Sequence, residues 1–166
     1  VSTRAVLAAI GLGANLGDPP AQVREALTAL GALPDTRSVA QSRLYRSAPM
    51  GPPQPDYCNA ACLVETRLSP EALLAECHAL EARAGRLRSR GRWLARELDI
   101  DLLVYGKLLR ESPGLRLPHP GIGERNFVLV PLAEIAPQLE IPGLGRAGAL
   151  AAACGREGLA LWPDLP

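Results

Sequence analysis

The run from Ala5 to Gly11 is unbroken by charge and predicts a buried strand. Gly11-Leu12-Gly13-Ala14-Asn15-Leu16-Gly17-Asp18 follows and reads as a tight strand-to-helix turn. Pro19-Pro20 then opens a helix to about Leu33, with Val23, Ala26, Leu27 and Leu30 on one face and Gly31 and Pro34 ending it. Ser38 to Ser47 reads as extended. Residues 48–55 hold four prolines, which exclude a sheet interior and predict a loop. Tyr57 to Thr66 predicts a second long strand. Ser69 caps the next helix, Pro70 sits in its first turn, and Leu73, Leu74, Cys77, Leu80 and Glu81 follow at helical spacing. Beyond an arginine-rich loop, Leu98 to Tyr105 predicts a further strand, turned at Gly106 and Lys107. Leu117-Pro118-His119-Pro120-Gly121 is a constrained loop, and Phe127 to Ile135 a short helix stopped before Pro137. The tail after about residue 143 is expected to be weakly structured, with one weak helix.

The order strand, helix, strand, strand, helix, strand predicts an α+β fold: ferredoxin-like, a mainly antiparallel sheet with packed helices. A parallel doubly wound sheet suits it less, because no helix separates the second and third strands. The 166 residues suit one domain, 1–166, without repeats or a linker.

Composition removes several classes. The net charge of +1 gives no global field for nucleic acid or a membrane surface. Cys58, Cys62, Cys77 and Cys154 form no Cys-x-x-Cys pair, and only His78 and His119 could join them, which argues against zinc. No stretch is long enough to cross a bilayer, no secretory pattern is visible at the start, and the expected compartment is the cytoplasm.

What charge there is clusters. Residues 83–96 carry Arg83, Arg86, Arg88, Arg90, Arg92 and Arg96, and Leu98-Asp99-Ile100-Asp101-Leu102 follows at once. Arginine forks grip phosphate oxygens in pairs. On a strand, Asp99 and Asp101 share a face while Leu98, Ile100 and Leu102 take the other. Two same-face acids repel unless a cation sits between them, and Mg²⁺ accepts one or two carboxylates plus phosphate oxygens. An ordinary amphipathic strand and a solvated basic loop are the plainer readings. Trp93 within the run also permits base stacking. Glu81 either pairs with an arginine or faces a ligand. Tyr57 and Asn59 share a strand face, and an aromatic wall beside a carboxamide suits a flat heterocycle. Tyr57 at a core edge and Phe127 in the core are the plainer alternatives. His119, held between two prolines, suits a fixed hydrogen bond to phosphate or ribose. The glycine turn is one residue too long for a dinucleotide fingerprint, and no Walker sequence occurs.

Several motifs in order resemble the hydroxymethyldihydropterin pyrophosphokinase family, from Ile10 to about Pro137. They are Gly11 to Asp18, Leu44-Tyr45-Arg46-Ser47-Ala48-Pro49, Gln54-Pro55-Asp56-Tyr57-Cys58-Asn59-Ala60-Ala61, Glu81, Gly85-Arg86, Arg92-Trp93, Leu98 to Leu102, Pro118-His119-Pro120 and Glu124-Arg125-Asn126-Phe127. The resemblance implies transfer of pyrophosphate from ATP to the hydroxymethyl group of 6-hydroxymethyl-7,8-dihydropterin, giving AMP, in folate synthesis. It implies that Asp99 and Asp101 hold two Mg²⁺ ions, and that Arg86 and Arg96 handle the triphosphate. Arg88, Arg92 and Trp93 fall on the family's mobile catalytic loop, and Glu81 and His119 on the ATP side. Tyr57 and Phe127 would sandwich the pterin, Asn59 would read its edge, and Ser47 and the backbone near Met50 would add hydrogen bonds. The expected partners are ATP and the pterin, with no nucleic acid, membrane or obligate protein partner. No general base is assigned. A non-enzymatic nucleotide- or RNA-binding module using the arginine loop is the alternative. Leu94-Ala95 replaces the Gly-Pro often found in the family's loop, and Gly121 stands where the family commonly has a larger or basic residue.

Overall fold

The computed structural model describes residues 4–49, 53–85 and 98–163. Its first strand, β1 (Val6–Ala14), is longer than the apolar run predicts, because Gly11 to Ala14 continue the strand instead of turning. The helix α1 (Pro19–Gly31) begins where Asp18 accepts a hydrogen bond from the Ala21 N–H at 3.3 Å, and prolines fill its first turn, where no intrahelical donor is needed. The extended stretch divides into β2 (Thr36–Gln41) and β3 (Tyr45–Ser47), followed by β4 (Tyr57–Thr66). At the start of α2 (Pro70–Gly85), Ser69 Oγ accepts from the Ala72 N–H at 3.1 Å. The remaining elements are β5 (Asp99–Tyr105), the hairpin β6 (Arg110–Ser112) and β7 (Leu115–Leu117), a 3₁₀ turn at Ile122–Glu124, α3 (Asn126–Ile135), the short pair β8 (Glu140–Ile141) and β9 (Gly145–Arg146), α4 (Ala147–Cys154) and β10 (Leu159–Leu161).

The main sheet has the order β10-β3-β4-β1-β5, with β2 also paired to β4, and every pairing is antiparallel. The ten residues of β4 serve two partners: Tyr57 to Asn59 face β3, and Cys62 to Thr66 face β2. The α+β, ferredoxin-like expectation therefore holds.

The central position of β1 explains its unbroken apolar run. Ala8, Ile10 and Leu12 enter one core with Val23, Leu27, Leu30, Leu73 and Cys77 of α1 and α2. Ala9 enters the other, with Ala61, Leu103, Leu129, Leu132 and Ile141. A strand covered on both faces loses the in-out alternation. The tail exceeds its expected weak structure in a specific way. Ala147 and Ala151 of α4 join the second core, and β10 adds a strand to the sheet edge beside β3. No described helix is long and apolar enough to cross a membrane.

Candidate active site

The site lies where β4, β1 and β5 run side by side. Register sets Gly13 between Asn59 and Asp99, and Gly11 between Ala61 and Asp101. The central strand thus offers only backbone between a carboxamide and two carboxylates. A Cβ at Gly13 would come within 3.2 Å of Asn59 Nδ2 and 3.8 Å of the Tyr57 ring. These two glycines line the floor of a trough, and a Cβ at Gly11 would also come within 3.3 Å of Leu103 Cδ1, so close approach explains both better than a turn does.

Above this floor opens a cavity of about 410 Å³. Tyr57 and Phe127, both half-buried, line it together with Asn59, Ser47, Asp99 and Asp101. Phe127 reaches it from the first turn of α3, so this phenylalanine is not wholly absorbed by the core. Ser47 and Asn59 are buried, and Ser47 Oγ donates to Asn59 Oδ1 at 2.5 Å. That bond fixes the amide with its Nδ2 over Gly13. The wall formed by residues 53–55 is tied down by Asn15, whose buried Nδ2 donates to Gln54 Oε1 and Pro55 O, each at 2.9 Å. Asn15 is thereby a fastener of the loop.

Asp99 and Asp101 also line a second cavity of about 380 Å³, with Glu81, His119, Arg116 and His78 around it. The two aspartates are a wall common to both cavities. On β5, Ile100 and Leu102 point into the core while Asp99 and Asp101 stay partly exposed, as alternation requires. Since β5 ends the sheet, its outward Ile100 N–H lacks a strand partner. Glu81 Oε2, from the last turn of α2, accepts it at 2.7 Å. Burial pushes the Glu81 carboxyl up to about 7, and a hydrogen bond to Asp99 with the charges of Asp99 and Asp101 adds to this, against the Ile100 N–H. His119 is anchored by its N–H to Leu103 O at 2.9 Å, beyond a cis Leu117–Pro118 bond. Its Nδ1 meets Pro120 O at 2.7 Å, so Nδ1 carries a proton there, and Nε2 faces Asp101 Oδ1 at 3.7 Å.

The carboxylates fit a cation. Among the described residues no three His, Cys, Asp or Glu side chains form a metal cage. Glu81 is spent on the Ile100 N–H, which leaves an aspartate pair. That donor set suits Mg²⁺ completed by phosphate oxygens and water.

The structure thus brings Ser47, Tyr57, Asn59, Phe127, Asp99 and Asp101 to one cavity, and Glu81 and His119 to its neighbour. Met50, Arg86, Arg88, Arg92, Trp93 and Arg96 lie outside the described residues, as do Leu94 and Ala95. Arg125 was missed as a site residue, although it stands two positions before Phe127 and lines the same cavity. A Cβ at Gly121, where φ is +83°, would come within 3.2 Å of Arg125 Nε. The space over Gly121 is therefore occupied by a guanidinium from four residues onward. Cys58, Cys62 and Cys77 are buried, and burial pushes each thiol up to about 12, with the charges of Glu81 and Asp101 adding to this at Cys77.

Residues 9–137 match the family model for 7,8-dihydro-6-hydroxymethylpterin-pyrophosphokinase. A Pseudomonas aeruginosa protein named 2-amino-4-hydroxy-6-hydroxymethyldihydropteridine pyrophosphokinase is 43% identical over 155 residues, 93% of this chain and 95% of that protein. A Methylorubrum extorquens protein of the same name is 47% identical over 142 residues, covering 85% of this chain and 87% of the other. In three dimensions, 90% of the chain superimposes on a Plasmodium falciparum HPPK-DHPS wild-type structure with TM-score 0.68 and 12% identity, spanning 43% of that longer chain. The fold is shared with that structure; the sequence relatives and the matched family model carry the rest, and by them the chain belongs to the 7,8-dihydro-6-hydroxymethylpterin-pyrophosphokinase family.

Proposed function

We propose that the protein transfers pyrophosphate from ATP to the hydroxymethyl group of 6-hydroxymethyl-7,8-dihydropterin, releasing AMP. The observation that carries this reading is the shared wall: Asp99 and Asp101 border both the aromatic-lined cavity and the acidic one beside it. In this reading the pterin lies on the Gly11-Gly13 floor between Tyr57 and Phe127. Asn59, oriented by Ser47, donates Nδ2 to an acceptor on the pterin edge. ATP occupies the cavity of Glu81 and His119, with its phosphates towards the aspartates. Mg²⁺ held by Asp99 and Asp101, when bound, neutralises phosphate charge and polarises the reacting oxygens. The chain itself supplies position: the hydroxymethyl oxygen forms its bond to the β-phosphorus as the bridging bond to AMP breaks, AMP leaving with the bridging oxygen and the hydroxyl proton passing to solvent. Phosphoryl-type transfer depends mainly on such placement and charge balance. Membership of the pyrophosphokinase family favours this enzyme over a non-enzymatic nucleotide- or RNA-binding module, and a cytoplasmic place suits its substrates.

The test is the product nucleotide. Purified protein with MgATP and the pterin should yield AMP, and ADP would refute the reading. Asp99→Ala and Asp101→Ala should each slow AMP release by on the order of 10²–10³-fold, if a lost clamp costs what a lost transition-state donor does. Unchanged rates would remove the aspartates from the metal role.

A further inference from the structure

The second cavity poses a charge problem. The carboxylates of Asp99 and Asp101 and the carboxyl of Glu81 face it, and a nucleoside triphosphate would bring more negative charge. Among the described residues lining it, Arg116 is the single arginine or lysine. Its position follows from the local sequence. Leu115 and Leu117 are buried on either side of it, so strand alternation turns Arg116 away from the core. Gly114, at φ +81°, makes the tight turn into β7. The hairpin register sets Glu111 opposite Arg116. At the far end, the His119 N–H bond to Leu103 O ties the segment to β5, the strand that carries the aspartates. The guanidinium is thus mounted on a short hairpin fastened to the opposite wall of the same cavity.

We propose that Arg116 contacts the phosphate chain of the nucleoside triphosphate and sets its affinity. This rests on the acidic cavity being the nucleotide side of the site. Carboxylates and their cation would approach the phosphates from β5, and the Arg116 fork from β7. A guanidinium matches two phosphate oxygens at once, and its charge does not titrate away near neutral pH. The role adds a cation from a strand to whatever the arginines of residues 83–96 contribute.

The experiment measures binding of a non-hydrolysable MgATP analogue, and separately of the pterin, by calorimetry on wild type, Arg116→Ala and Arg116→Lys. Arg116→Ala should weaken the analogue by about 10- to 100-fold, the range for losing a charged hydrogen bond. Arg116→Lys should recover part of the loss, since charge remains without the fork. Pterin affinity should stay within about twofold of wild type, because a loss confined to phosphate contacts leaves the other cavity intact. Analogue binding by Arg116→Ala within about twofold of wild type overturns the proposal, since a lost charged contact costs more than that. Equal losses for analogue and pterin, with a lowered melting temperature, also overturn it in favour of a structural role. Failure of wild type to form AMP would count against the proposed reaction alone, because the binding comparison decides the role of Arg116 without turnover.

Discussion

Glu81 lends itself to a quantitative test, because its environment penalises its charge for a visible reason. It is half-buried, bonded to Asp99 and close to Asp101, which together raise its carboxyl from 4.5 to about 7. Between those two values the folded protein holds a proton that the unfolded chain releases. Its contribution to stability is therefore complete below pH 4.5 and disappears as pH rises through about 7. At ~1.4 kcal/mol for each tenfold change, the gap corresponds to at most about 3 kcal/mol, and partial solvent screening brings the expectation to about 1–3 kcal/mol. Glu81→Gln keeps an oxygen for the Ile100 N–H and gains an amide donor for Asp99, but cannot ionise. In chelator-treated protein, urea unfolding should show equal stabilities at pH near 4.5. At about pH 8 the variant should be more stable by roughly 1–3 kcal/mol, since only wild type then carries the crowded charge. Millimolar Mg²⁺ should narrow that difference if the aspartates bind it. Parallel stability curves for wild type and variant across this range would refute the crowding argument.

The pterin cavity gives two further tests. Tyr57→Ala should weaken pterin binding by on the order of tenfold or more through loss of one stacking wall, while MgATP-analogue affinity stays nearly constant; equal losses would sink the stacking assignment. Gly13→Val should weaken pterin binding by about 10- to 100-fold, because side-chain atoms would crowd Asn59 and fill the trough, the range expected of overpacking. A Gly13→Val protein that melts normally and binds pterin like wild type would show that the ligand does not lie on that floor.

Much of the architecture was legible along the chain because it depends on local chemistry. Ser69 and Pro70 announce α2, Pro19-Pro20 announce α1, and the apolar runs announce β1, β4 and β5, since caps, proline geometry and periodicity act within a few residues. The same alternation that makes β5 a strand puts Asp99 and Asp101 on one face, so their pairing needed no tertiary information. The ordered motifs carried the family. Other features arise only from registration between strands. Gly11 and Gly13 look like turn residues in one dimension. They become a site floor because pairing sets them between Asn59 and the aspartates. Glu81 could have met an arginine or a ligand; the unpaired Ile100 N–H of an edge strand decided its hydrogen bond. The weakly patterned tail yields α4 and β10 because a strand edge at β3 and an apolar surface on α3 await it. Sequence alone determined the capped helices α1 and α2, the apolar strands β4 and β5 and the faces their side chains share, for those are short-range effects. Tertiary structure decided which faces meet, and with them the shared wall on which the proposed reaction depends, because strand register joins residues about forty or more positions apart, as it joins Asn59 to Gly13 and Gly13 to Asp99.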